Sequence, residues 1–547
     1  MRKTSVLLVL SALLTACPSS IITDPPLPAQ APRAFVPRAI GATDTTVTLK
    51  GQNFDVKSAS VDGATATILE QSTTTLKLKL DKPLGVGDFK LELTNKSGKS
   101  FSSDNGINAI AATSSSDEVD PERLLLTLKS PVTPRLEGLL GAAGFMLERQ
   151  DPPQIAGGTG LCSQVVVTLK DSLASSRSVE DALNALAELL GPELNQGEFE
   201  PNPYVVERGP SASSSTTFEQ TVLSPRAVVV APDYSKLNLR VAVLDTGVSK
   251  HSAFTYLEGR LTQNVIDFAA GKNFTLEGGL TDVNDLRTGY AVTSQASNIG
   301  HGTGVAAAIT APTTATGVGI PGIAPKVSIL PIKVCDKSGA CNTPSLVAGI
   351  CYAASLANAT TKPVQVLNFS IGGKTPNRLL YLALRDAAER GISVVVSAGN
   401  KLDLKTGNPT MFPAAYASNY SPSYPALPGL IVVGSVYNND GPFVPSSFSS
   451  YGPWVTVSAE GEFRYLPNSS DLDAKNTYGY FTGTSFAAPQ VAGMVVKIKF
   501  QKPTWTPSEI KDFLVKTATV VPNCLSNRCG AGRVDFSNLP NVVTASK

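Results

Sequence analysis

The sequence predicts three folded parts in series: an all-β sandwich, a small α+β domain, and a large α/β domain whose parallel sheet is flanked by helices. Three observations carry this prediction. Short runs of alternating apolar and polar residues fill positions 33–112, the period-2 signature of strands with one buried face. A strand–helix–strand order occurs twice between residues 122 and 206. From about residue 225, continuous apolar runs rich in β-branched residues alternate with helical segments, as in parallel sheets covered on both faces.

The first stretch, "MRKTSVLLVLSALLTAC" (1–17), has a basic start, an apolar run and small residues before Cys17. It reads as an export signal, too short to be a spanning helix. Its end, Leu14-Thr15-Ala16-Cys17, resembles the lipobox of bacterial lipoproteins. That resemblance implies a lipidated Cys17 and a membrane anchor; an ordinary signal peptide with an incidental cysteine is the alternative. Residues 18–32, rich in Pro and Ala, read as a tether. Within 33–112 the strand-like runs "TVTLKG", "ATATILEQ", "TLKLKL" and "FKLELTN" are separated by turn residues. "VTLKGQNF" and "ASVDGATATI" resemble the IPT/TIG immunoglobulin-like (Ig-like) family, which implies a spacer or a binding module.

A polar linker, "ATSSSDEVD", precedes the second part. Across 122–206, "LLLTL", "PRLEGLLGAA" and "FMLER" are followed by "QVVVTLK", "SVEDALNALAELL" and "GEFEPNPYVVE". This is the split β-α-β pattern of ferredoxin-like domains. Residues 207–224, with "GPSASSSTT", read as a linker open to cleavage. In 225–547 the strand-like "LRVAVLDTG", "KVSILPIKV", "VQVLNFSIGG", "ISVVVSAGN" and "LIVVGSV" alternate with the helix-like "TGVAAAIT", "PSLVAGICYAASLAN" and "LLYLALRDAAERG".

The chain of 547 residues is 42% hydrophobic and 16% charged, so several cores can form. A formal net charge of +2 argues against nucleic acid or a polybasic membrane patch. Besides Cys17 there are six cysteines: Cys162, Cys335, Cys341, Cys351, Cys524 and Cys529. Export permits disulfides. Cys335 with Cys341, and Cys524 with Cys529, are close enough in sequence to close small loops, but spacing does not fix the pairing. No Cys-x-x-Cys pair occurs and there are only two histidines, which disfavours zinc.

In open parallel sheets functional residues gather at the strands' carboxyl ends. Asp245 ends "RVAVL" and Asn400 follows "ISVVVSAG". His301 opens a helix of small residues in "NIGHGTGVAAAI", and Ser485 lies in "YFTGTSFAAP" ahead of apolar residues at helical spacing. Each has an ordinary reading. Asp245 and Asn400 suit turns, and His301 suits a surface site near a cap. Ser485 suits an N-cap, with Pro489 in the first turn. Together they supply an acid, a base, an amide donor and a nucleophile, in the order Asp…His…Ser. The base is His301 or His251, and His251 lies in the polar loop "VSKHSAF".

"VAVLDTGV", "GHGTGVA", "SAGN" and "GTSFAAPQVAG" closely resemble the motifs of subtilisin-like serine proteases, across roughly residues 240–496. The resemblance implies a subtilisin-like catalytic domain over 225–547. It implies a serine endopeptidase acting through an acyl-enzyme, with catalytic Asp245, His301 and Ser485 and an oxyanion donor, Asn400. An extended substrate would lie along Ser370, Ile371 and Gly372, with Ser397, Ala398 and Gly399 forming a wall of the specificity pocket. By position, residues 122–206 look like the family's inhibitory propeptide. Self-cleavage between about Val206 and Arg226 is then expected to separate the protease from Cys17 and the Ig-like domain, unless the fragments stay associated.

The expected partners are protein or peptide substrates, the chain's own propeptide and a membrane, with no nucleic acid. The expected location is the bacterial cell envelope or the medium. No cofactor is required for the chemistry. Calcium is common in the family, and "TDVNDL" offers either oxygen ligands or solvated turns, so no metal residue is assigned. The sequence departs from the family at Glu460, where proline is usual, and at "HSAF", where His-Pro is usual. Rival expectations are an inactive binding scaffold, and an esterase or amidase using the same triad.

Overall fold

The computed structural model describes residues 30–537 and 539, except 111–118, 157–159, 191–201, 208–233, 259–260, 276, 286–299, 313–320, 337–338, 402–407, 439–440, 463, 470–475 and 523. Cys17, most of the tether, and residues 208–224 of the expected processing linker lie outside the described residues.

Eight strands between Arg33 and Ile110 pair in one continuous path. Along Thr46–Gln52 exposed and buried positions alternate, so Val47, Leu49 and Gly51 face inward. They join Leu76, Leu78, Leu91, Leu93 and Ile107 in a core closed from both sides.

The next part has β1 (Val119–Leu128), α1 (Pro134–Ala142), β2 (Phe145–Asp151), β3 (Val165–Asp171), α2 (Val179–Leu190) and β4 (Asn202–Glu207). The sheet order is β2-β3-β1-β4, wholly antiparallel, which is the split β-α-β topology the sequence predicts. Alternation sends the two faces in opposite directions. Leu124, Leu126, Leu128, Val165, Val167 and Leu169 pack on α1 and α2. Leu125 and Val166 pack instead into the core of the third part.

That third part contains β5 (Arg240–Asp245), β6 (Lys272–Asn273), α3 (His301–Thr310), β7 (Ser328–Lys333), α4 (Thr343–Ser355), β8 (Val364–Phe369), α5 (Arg378–Glu389), β9 (Ser393–Ser397) and β10 (Ile431–Tyr437). β11 (Val444–Pro445), β12 (Val457–Glu460), α6 (Thr484–Gln501) and α7 (Pro507–Thr517) follow. The sheet runs β6-β7-β5-β8-β9-β10-β11, parallel except for the last pair, with β12 also on β10. All six residues of β5 are buried. Ala242 and Leu244 face the core that holds α4 and α5. Val241 and Val243 face the one that holds α3 and α6. A strand covered on both sides cannot alternate in polarity, which is why these strands read as unbroken apolar runs.

The N-terminal parts are docked onto the third. Lys90 N donates to Ser423 Oγ at 3.0 Å, Ser423 Oγ donates to Asp62, and Asp88 Oδ2 accepts from Arg378 N at 3.3 Å and Tyr424 Oη at 3.2 Å. Six cysteines form three disulfides: Cys335–Cys341, Cys524–Cys529 and Cys162–Cys351. The third joins the small α+β domain to α4. Among the described residues no helix is long and apolar enough to cross a membrane.

Candidate active site

β5 delivers Asp245, fully buried, to the carboxyl edge of the sheet. α3 starts at His301, after Gly300 in the left-handed region at φ 73°. The helix approaches the Asp245 turn so closely that a Cβ on Gly302 would lie 2.1 Å from Gly247 O. Only glycine fits there. The approach brings His301 Nδ1 to 2.7 Å from Asp245 Oδ1. Asp245 N-terminal neighbours are strand, and Thr246 N beyond it donates to the same oxygen at 2.8 Å. An acceptor carboxylate at Nδ1 selects the tautomer that leaves Nε2 as a base. Among the described residues, buried His301 Nε2 has no hydrogen-bond partner.

A second carboxylate stands behind this pair. Asp285 Oδ1 accepts from Thr246 Oγ1 at 2.6 Å, and its Oδ2 accepts from Thr303 N at 2.9 Å and Thr303 Oγ1 at 2.6 Å. Thr246 Oγ1 in turn accepts from Gly302 N at 3.0 Å. Lys333, at the end of β7, donates to Thr246 O. Burial pushes the Asp285 carboxyl up, while the Lys333 charge and the threonine donors pull it back down. Thus Asp285 ties the turn after Asp245 to the first turn of the His301 helix. Nothing in the sequence marks this role: Asp285 stands in "TDVNDL", and no local pattern links it to Thr246 or Thr303.

The same contacts describe how the oxygens of that loop are engaged. Asp282 Oδ1 accepts from Asn284 N, Asn284 Oδ1 accepts from Ser249 Oγ, and Asp285 is engaged as above. Each of these side chains takes at least one protein donor, as in a hydrogen-bonded turn. Among the described residues no group of three or more His, Cys, Asp or Glu is placed to hold a metal ion.

Ser485 lies in the first turn of its helix, and the alternative reading of it as the N-cap does not hold. The N-cap of α6 is Gly483, at φ 154°, with no side-chain cap bond, and Ser485 is the second helical residue. Pro489 lies beyond the first turn, inside the helix. Proline has no N–H to give to the carbonyl four residues earlier, and that carbonyl belongs to Ser485. Ser370 Oγ donates to it instead, at 2.9 Å. Ser485 Oγ donates to Ser370 O at 3.2 Å.

Asn400 follows Gly399, whose φ of 92° turns the chain at the end of β9. Asn400 Oδ1 accepts from Thr484 N at 3.0 Å and from Thr484 Oγ1 at 2.9 Å. Two donors on one side identify that atom as the oxygen and fix the amide beside Ser485. Phe486 packs edge-on against His301, with centroids 5.2 Å apart. Ser370 and the backbone of Ile371 and Gly372 lie on the chain leaving β8, while the Ile371 side chain is in the core. Gly373 and Phe412 exchange hydrogen bonds at 2.8 and 2.7 Å. Ser397 and Ala398 are buried at the end of β9. His251 caps a short helix by accepting from Ala253 N at 3.0 Å and stands apart from this group. Glu460 pairs with Arg464 at 2.7 Å.

The Subtilase family model matches residues 237–532. Subtilisin DY of Bacillus licheniformis is 32% identical over 292 residues, covering 53% of this chain and 87% of that protein. An extracellular protease of Xanthomonas campestris is 30% identical over 325 residues, covering 56% of this chain and 51% of that protein. Among solved structures, fervidolysin from Fervidobacterium pennivorans, a keratinolytic enzyme related to subtilisin, aligns with a TM-score of 0.56 at 23% identity. That alignment covers 77% of this chain and 61% of fervidolysin, and at this identity it speaks for the fold alone.

Proposed function

The chain belongs to the subtilase family of serine endopeptidases, and we propose that Asp245, His301 and Ser485 are its catalytic triad, with Asn400 as oxyanion donor. The observation that carries this is the buried His301–Asp245 contact of 2.7 Å, with Nε2 left unpartnered among the described residues. A buried imidazole with one nitrogen held by a carboxylate is built to take up a proton on the other.

In the proposed mechanism the Ser485 hydroxyl leaves Ser370 O and turns to His301 Nε2. Its Oγ attacks the scissile carbonyl as His301 takes the proton. Asp245 stabilises the resulting imidazolium, which then protonates the leaving amine. Water repeats the sequence to release the acyl group. The oxyanion would be held by the Asn400 amide and by Ser485 N, which belongs to the first turn of α6, where N–H groups have no intrahelical acceptor. The substrate would run along Ser370–Gly372, with Ser397–Gly399 as a wall of the primary pocket.

We further propose that residues 122–206 are an inhibitory propeptide and that the enzyme processes itself. The sheet face bearing Leu125 and Val166, laid into the core of α4 and α5, supports this. Export, and anchoring through Cys17, complete the reading. The test compares wild type with Ser485→Ala, both begun after Cys17, by gel, N-terminal sequencing and casein hydrolysis. Cutting near 206–226 and casein hydrolysis by the wild type alone is the expected result. Inactivity of both would return the chain to the binding-scaffold reading.

A further inference from the structure

The Cys162–Cys351 disulfide spans 189 residues of chain, and the whole of 208–233 lies inside that loop. A single peptide cut anywhere within it leaves both products in one covalent molecule. We propose that processing yields a disulfide-linked two-chain protease, in which the first cut leaves the N-terminal chain covalently held on the α4–α5 face. The proposal rests on the self-processing reading above and changes its outcome. The separation of protease from Cys17 expected from the sequence does not follow from one cut.

The segment around Cys162 is fitted to its place. Ile155, Leu161 and Cys162 share a core with Val347, Ile350, Leu380 and Leu384 of α4 and α5. Cys162 N donates to Asp386 Oδ2 at 2.8 Å. Gly160 passes so near that a Cβ there would lie 2.3 Å from the same carboxylate oxygen. The loop closes on itself through Gln154 N and Ile155 N, both donating to Cys162 O.

The link is a structural one and not a switch. Disulfide exchange requires a thiolate to reach one of the sulfurs, and Cys162 and Cys351 are only 2% and 3% exposed. The other four cysteines described are paired with near neighbours in sequence, so no described thiol competes for either one. Tethering also changes the inhibition. A fragment held non-covalently leaves on dilution, whereas a tethered one rebinds at an effective concentration on the order of millimolar. Full activity then requires further cuts in the N-terminal chain, and the active enzyme still carries a Cys162 peptide on Cys351.

Two full-length proteins begun after Cys17 and exported to an oxidising compartment test this. One is wild type. The other is Ser485→Ala with a foreign protease site inserted among residues 209–217, cut after purification. Each is run in denaturant with thiols blocked, with and without dithiothreitol, which reduces the bond to two thiols and becomes a cyclic disulfide. The expected result is joined chains that part only on reduction, with a Cys162–Cys351 peptide in the unreduced digest. A Cys162→Ser/Cys351→Ser pair in the inserted-site protein parts without reductant. Chains that part unreduced with both cysteines present overturn the proposal, even if self-processing occurs. A wild type that stays uncut overturns self-processing, and the inserted-site protein then still decides the linkage.

Discussion

Ser370 and Ser485 are bonded to each other twice: Ser370 Oγ donates to Ser485 O at 2.9 Å, and Ser485 Oγ donates to Ser370 O at 3.2 Å. The first bond exists because Pro489 has no N–H for that carbonyl. Ser370→Ala therefore leaves the buried Ser485 carbonyl without that donor. The expected cost is about 1–3 kcal/mol of stability, read as a lowered denaturation midpoint. If Ser485 is the nucleophile as proposed, kcat should fall as well, because its helix loses its tie to β8. An unchanged midpoint would mean the bond contributes nothing net.

His301 and Asp245 should be inseparable in their effects. Asp245→Asn keeps the shape and loses the charge that fixes the His301 tautomer. A fall in kcat of roughly 10⁴ is expected. Adding His301→Ala to Asp245→Asn should not multiply the two losses, since the residues act as one unit. Multiplicative losses would place them in separate roles.

Asn400→Ala should lower kcat by about 10²–10³ with little change in KM, a magnitude taken from subtilisin itself. Thr484→Val is the finer probe. It removes one of the two donors on Asn400 Oδ1 and keeps the other, the backbone N–H. A loss smaller than that of Asn400→Ala is expected, again in kcat. A KM effect alone would instead make Asn400 a ground-state binding residue.

Asp285→Asn tests positioning from behind the His301–Asp245 pair. One amide cannot accept at both oxygens, so Thr246 or Thr303 loses its acceptor. kcat should fall by about tenfold, the order of loss seen when the hydrogen-bond partner behind a metal-ligating side chain is removed. The lost negative charge also disfavours a positive imidazolium, and Lys333 is left less balanced. The acid limb of kcat/KM is therefore expected to move to lower pH. A purely structural role would lower stability and leave that limb in place.

Asp88 stands at the contact between the N-terminal β-rich part and the third part. It accepts from Asn108, Arg378 N and Tyr424 Oη, and Arg378 is 5% exposed. Asp88→Ala should free the sandwich to melt on its own. In a Ser485→Ala background, calorimetry should then show a separate early transition. A single transition would mean the apolar contacts alone hold the sandwich in place.

The sequence by itself determined the fold class and singled out the four residues proposed for the chemistry. Alternating runs differ physically from unbroken ones, because a strand with one wet face must alternate and a strand buried on both faces cannot. Asp245, His301, Asn400 and Ser485 each sit beside glycines or small residues, a local signature that close backbone approach requires. Tertiary structure alone decided the rest. The Cys162–Cys351 bond, the Asp285 brace and the reciprocal Ser370–Ser485 bonds join residues far apart in the chain. Nothing in the local pattern of either partner names the other, because these contacts depend on how separate elements pack. Even the start of α6 was decided there: Gly483 turns the chain, and Ser485 points at Ser370 rather than back at its own helix.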